Sequence, residues 1–178
     1  MMKRLFLTLM LCMMVSCLVF AGKVNISAQA SPFSLQVVSA SNGTFVSTYG
    51  FGAGGGFRVN VWDNLSVGMD LNLGIYKYDE LDSDYLVIGV KAMAGYSYDF
   101  SDKLFAEADL GVGLDNRRIG SLKQNTFAAD LYLGCGYWLS DEMAVTGGVD
   151  LGLGLQKGKY SRSTDFEAET RMGLLMAL

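Results

Sequence analysis

Apolar side chains recur at every second position through most of this chain. In LSVGMDLNLGI (65–75), Leu65, Val67, Met69, Leu71, Leu73 and Ile75 share one face, and Ser66, Gly68, Asp70, Asn72 and Gly74 share the other. LFAEADLGVGL (104–114), FAADLYLGCGYW (127–138) and MAVTGGVDLGLGL (143–155) repeat the pattern. The chain closes on it: Phe166, Ala168, Met172, Leu174, Met176 and Leu178 alternate with Glu167, Glu169, Arg171 and Gly173. Strict alternation marks strands with two unlike faces. It predicts eight of them, at about 24–39, 47–62, 65–78, 85–98, 104–115, 125–138, 143–156 and 165–178. In the first, the phase changes at Ser31-Pro32. Proline cannot donate to a ladder, so a bulge or kink is expected there.

The connections alternate in character. VWDNL (61–65), FSDKL (100–104) and LSDEM (139–143) are short and contain Asp, whereas 39–47, 77–84, 115–124 and 156–164 are longer and polar. Alternating short and long turns describe an up-and-down meander with two unlike ends.

The second face of the strands decides what lies inside. It is mostly glycine with isolated charges: Arg58, Asp70, Lys91, Glu107, Asp109, Asp130, Asp150, Glu167, Glu169 and Arg171. A solvated surface carries abundant Lys, Glu, Ser and Thr. Glycine with a few charges suits the cramped interior of a narrow cylinder, so the oily face points outward, into lipid. In lipid every backbone polar group must be paired within the protein, and strands span only as closed barrels. A spanning strand needs about 9–11 residues, and eight strands make a small barrel whose interior is filled by side chains. The expected fold class is all-β, an eight-stranded antiparallel up-and-down transmembrane β-barrel. Tyr96, Tyr98 and Tyr137 at one end and Tyr49, Phe127 and Phe166 at the other suit interfacial belts.

The first 21 residues are read as a cleaved N-terminal signal peptide. Lys3 and Arg4 precede an apolar core that ends in Val19 and Ala21, which predicts a cut after Ala21 and a barrel domain over 22–178. An uncleaved anchor and a lipidated Cys17 are the alternatives. Losing Lys3 and Arg4 takes the 14 basic residues to 12 against 18 acidic ones, a formal charge of −6. That argues against nucleic acid as a partner. After cleavage only Cys135 is left, so no intrachain disulfide can form. The chain has no histidine, which removes Ser-His-Asp and Cys-His catalysis and histidine metal ligation. Asp79, Glu80, Asp82 and Asp84 lack the ordered spacing of a calcium loop. No metal, cofactor or enzymatic activity is expected.

With signal, strand pattern and turns together, the chain resembles the small eight-stranded bacterial outer-membrane β-barrel proteins of the OmpA-barrel and OmpX-like group. The resemblance covers essentially the whole chain after the signal. It implies a place in the bacterial outer membrane, outer-membrane lipids as partners, and assembly by the barrel-assembly machinery. That machinery reads a signal in the last strand, here R-M-G-L-L-M-A-L, with Arg171, Gly173, Met176 and Leu178 in the signal positions. The group usually ends in an aromatic residue, and this chain ends in Leu178. No further domain is expected after the eighth strand.

The inward charges are the one constellation with chemistry. Arg171 is placed to meet Asp150, and Lys91 is expected to lie diagonal to Asp109. The expected role is structural or surface-interacting, with charged side chains and glycine filling the lumen. One alternative is a narrow cation-preferring channel, because acids outnumber bases inside. A second is a soluble ligand-holding barrel with the oily face inward. Arg117, Arg118, Lys123, Lys157, Lys159 and Arg162 are read as a basic patch on the external loops, open to envelope or host ligands. Cleavage after Ala21 is checked by Edman degradation of the exported protein, which is expected to begin at Gly22.

Overall fold

The computed structural model describes residues 24–40, 45–78, 84–119, 122–157 and 162–178. The signal segment, 1–21, lies outside them. Eight strands follow one another: β1 (Val24–Ala40), β2 (Phe45–Trp62), β3 (Leu65–Tyr78), β4 (Asp84–Asp99), β5 (Leu104–Ile119), β6 (Leu122–Trp138), β7 (Met143–Lys157) and β8 (Arg162–Ala177). Each pairs antiparallel with its neighbours in sequence, and β1 pairs with β8, so the sheet is a closed barrel. The seam runs from Asn25 opposite Ala177 to Ala40 opposite Ser163. Leu178 donates its N–H to the Val24 carbonyl at 2.8 Å, so the chain end completes the rim.

The expected bulge is present. Ser31 and Ser34 are both buried, while Pro32 and Phe33 between them are exposed. The register of β1 shifts there against both neighbours. Two successive residues outside restore the inward phase for Ser34 and Gln36 without asking proline for a hydrogen bond.

The short turns are built from their own residues. Asp63 takes a positive φ of 39° in the Asp63-Asn64 turn, a conformation that Asp tolerates better than most residues. FSDKL and LSDEM share one device. Ser101 Oγ accepts from the N–H of Lys103 (3.4 Å) and Leu104 (3.1 Å), and Ser140 Oγ from that of Glu142 (3.4 Å).

Two connections expected to be long are short. β5 continues to Ile119, which pairs with Leu122 of β6. Likewise β7 runs to Lys157, which pairs with Arg162 of β8. Polar composition from 115 to 124 reads as a loop. The period of two nevertheless continues through it, with Asp115 and Arg117 buried and Arg118 exposed. Above the lipid band a strand can carry polar residues on both faces.

The oily face is outside. Leu71, Leu110 and Leu153 are 60%, 64% and 56% exposed, and Phe33, Phe51, Leu114, Phe127 and Met172 are exposed with them. The soluble alternative, with these residues turned inward, does not describe this molecule. On the β5–β6 pair the outward residues are apolar from Leu104 opposite Tyr137 to Leu114 opposite Phe127. That stretch of β5 matches the roughly 9–11 residues needed to span. Tyr96, Tyr98 and Tyr137 at the short-turn end, and Tyr49, Phe127 and Phe166 at the other, are all exposed on the outer wall. Replacing Leu110 by Arg, at mid-height on the lipid face, is expected to cost about 2–4 kcal/mol. Urea unfolding of the barrel in lipid vesicles checks this, and a cost below that of the reverse change at exposed Arg118, Arg118→Leu, would contradict the orientation.

Candidate functional site

The lumen is where the charges meet. Arg58 of β2 donates to Asp70 of β3 through two nitrogens, at 2.6 and 3.1 Å, and to Asp109 of β5 at 3.2 Å. Arg171 of β8 pairs with Asp150 of β7, with its strand-mate Glu169 at 2.9 Å, and more distantly with Asp70 at 3.8 Å. Its guanidinium also sits 5.7 Å from the centre of the Tyr132 ring, within cation–π range. Asp70 therefore joins two arginines from strands on opposite sides of the seam. Asp70, Asp150 and Arg171 are all buried.

Lys91 of β4 pairs with Asp130 of β6 at 2.6 Å. Its expected partner, Asp109, is out of reach. The register sets Lys91 opposite Gly113 and Asp109 opposite Gly95, four residues or about 13 Å apart along the strand. Sequence spacing alone does not fix the offset across a turn. Lys91 instead crosses β5, where Gly113 leaves room for its stem.

Those glycines explain the composition of the inner face. A side chain at Gly95 would strike the Asp109 carboxylate, and one at Gly56 the Asp70 carboxylate. Gly136 likewise lies under the Phe105 ring. Large inward side chains fit in an eight-stranded cylinder only where the neighbouring strand presents no side chain at the same height.

A second layer lies toward the other end. Tyr76 and Ser34 donate to Glu167, the latter at 3.1 Å. The Tyr85 hydroxyl donates to Gln36 at 2.5 Å and lies 2.9 Å from the Thr48 hydroxyl. The Tyr76 and Tyr85 rings stack with centres 5.2 Å apart. Arg117 of β5 pairs with Asp165 of β8 at 2.5 Å, both buried.

Arg117 thus leaves the basic loop patch, because its phase on β5 points it inward with Asp115. Arg118 and Lys123 stand exposed on the outer wall. Lys157 and Arg162 are paired strand positions whose side chains lie outside the described residues, as does Lys159 altogether. Glu107 lies half-buried in the lumen below Asp109. Of the C-terminal set, Arg171 is buried in the lumen, while Met176 and Leu178 are exposed. Asp115, Asp165, Tyr76, Tyr85 and Gln36 were not among the expected site residues. Each continues the period of two on a strand already assigned, so the signal was present in the phase.

Space in the lumen is uneven. The short-turn end opens into a vestibule of about 810 Å³, bounded by Arg58, Glu107, Asp109, Phe105 and Trp138. Beyond the Arg58 junction, a void of about 30 Å³ lies beside Lys91, Asp115, Glu167 and Glu169, room for about one or two waters. Among the described residues no three acidic or cysteine side chains are grouped to hold a metal ion.

No protein-family model and no curated protein sequence matches the chain. Solved structures do match. Neisserial surface protein A superposes with a TM-score of 0.65 at 16% identity, covering 87% of this chain and 98% of that one. Ail, the attachment invasion locus protein of Yersinia pestis, gives 0.47 at 13% identity, over 86% and 99% of the two chains. The N-terminal barrel domain of Pseudomonas aeruginosa OprF gives 0.40 at 14%, over 85% and 97%. The fold is that of the small eight-stranded outer-membrane β-barrels.

Removing one partner of a buried pair leaves an uncompensated charge and costs about 3–5 kcal/mol. Lys91→Met is expected to destabilise on that scale, with strong coupling to Asp130→Asn and none to Asp109→Asn. A double-mutant cycle by urea unfolding in vesicles measures both couplings.

Proposed function

We propose that this chain is a non-enzymatic protein of the bacterial outer membrane with a structural or surface-interaction role, and that its lumen is a plug. On this reading the two termini lie at the periplasmic rim, where Leu178 meets Val24, and the longer connections face outward. The observation that carries it is the junction of Arg58, Asp70 and Arg171, which ties β2, β3 and β8 together across the lumen. The void beside Lys91 above it has room for about one or two waters, and at and above the junction side chains of six strands are engaged in pairs: Arg58–Asp109, Arg171–Asp150 and Lys91–Asp130. Opening a path means separating buried pairs, at several kcal/mol each.

The narrow cation-preferring channel is the second reading. Acids outnumber bases in the lumen, and the vestibule brings solvent as far as Arg58. The plug is favoured because buried ion pairs cross the lumen beyond the vestibule.

Met176 and Leu178 project from the outer wall at the rim, where an assembly factor could read them. Arg171 is accessible to such a factor only before the barrel closes.

Planar-bilayer recording on refolded protein separates the two readings. The plug predicts no steady conductance from the native chain and a small steady one from Arg58→Ser/Arg171→Ser. Steady native conductance that disappears with Asp109→Asn or Asp150→Asn would establish the channel instead.

A further inference from the structure

The outer wall of the β5–β6 hairpin changes character abruptly. Its outward pairs run apolar up to Leu114 opposite Phe127, and the next two are Asn116 opposite Asn125 and Arg118 opposite Lys123. The Asn116 side-chain amide donates to Asn125 Oδ1 at 2.8 Å, which leaves the amide nitrogen of Asn125 aimed away from that bond. Arg118 and Lys123 are exposed. Four residues of tilted strand raise them about 10 Å above the last lipid-facing pair. Their long stems can bend back over part of that distance, into the headgroup layer.

Like charges directly opposite each other destabilise a strand pair. At the same end of the barrel, Lys77 of β3 stands opposite Asp84 of β4, an arrangement that needs no outside partner. Arg118 and Lys123 form no ion pair with any carboxylate among the described residues. An anion between them would turn the repulsion into two charge-assisted contacts. The surface just below, Leu114 and Phe127, is exposed and apolar, so the anion that fits comes attached to an acyl chain. The short turns carry Asp63, Asp102, Asp141 and Glu142 against Lys103, so the opposite rim offers no equivalent.

We propose that Arg118, Lys123 and Asn125 form a site on the outer wall for the phosphate headgroup of a membrane lipid whose acyl chain lies over Leu114 and Phe127. The site deepens the reading of the chain as an outer-membrane barrel and rests on it. A folded chain soluble without detergent would overturn both.

The site itself is tested on the mature chain refolded in dodecylmaltoside, with folding verified by heat-modifiable gel migration. Phosphatidic acid or phosphatidylcholine is titrated and bound lipid counted by native mass spectrometry. Each basic residue near a charged lipid layer is worth about fivefold in affinity. Phosphatidic acid is therefore expected to bind about thirtyfold more weakly to Arg118→Gln/Lys123→Gln and about fivefold more weakly to Lys123→Gln. Phosphatidylcholine affinity and the Lys103→Gln variant should show no change. Equal phosphatidic acid affinity in the native chain and the double variant would overturn the site. So would an equal loss with Lys103→Gln. Tighter, Arg118-dependent binding of sucrose octasulfate than of phosphatidic acid would also overturn it, assigning the pair to a sulfated glycan.

Discussion

The pairing of β1 with β8 is the constraint on which the rest of this molecule depends. A strand edge in hydrocarbon exposes a row of N–H and carbonyl groups to a solvent that can bond neither, at several kcal/mol for each group left unpaired. Closing the sheet removes both edges at once. With eight strands, closure also sets the small diameter, and Leu71, Leu110 and Leu153 are left on the outer wall. The bulge at Pro32 serves the same end, because it lets β1 carry a residue without an N–H and still pair along both sides.

A cylinder this narrow has little room inside, and the glycines follow from that. Each large inward group lies over a bare position on the next strand: Asp109 over Gly95, Asp70 over Gly56, Phe105 over Gly136. Glycine weakens a strand on its own account. Here it is retained because a side chain at those points would displace a carboxylate from its arginine. The charges in turn bind strands that do not touch in the sheet. Lys91 and Asp130 join β4 to β6, and Arg58 and Asp109 join β2 to β5. The ladder fixes neighbours, and the ion pairs fix the cross-section.

Much of this was legible in the residues. Phase of two, short turns with Asp, and an inner face of glycine with charge led to eight strands and to their orientation. What the residues did not reveal was where polar strand stops and loop begins. From 115 to 124 the composition is that of a loop, yet Asp115 and Arg117 keep the inward phase and the ladder runs on to Ile119 opposite Leu122. Polarity reports contact with water, and above the lipid band both faces of a strand are wet. The partners of the inward charges were also only partly legible. Arg171 and Asp150 lie on adjacent strands at neighbouring heights, and spacing brings them together. Lys91 and Asp130 are separated by a whole strand, and no count along the chain pairs them.

The sequence by itself determined the period, the number of strands and which face meets lipid, because each depends on local alternation and on the solvent that alternation implies. Tertiary structure decided the register across the turns and the side-chain partners inside. Those are set by barrel closure and by the heights at which glycine leaves room, which are properties of all eight strands together.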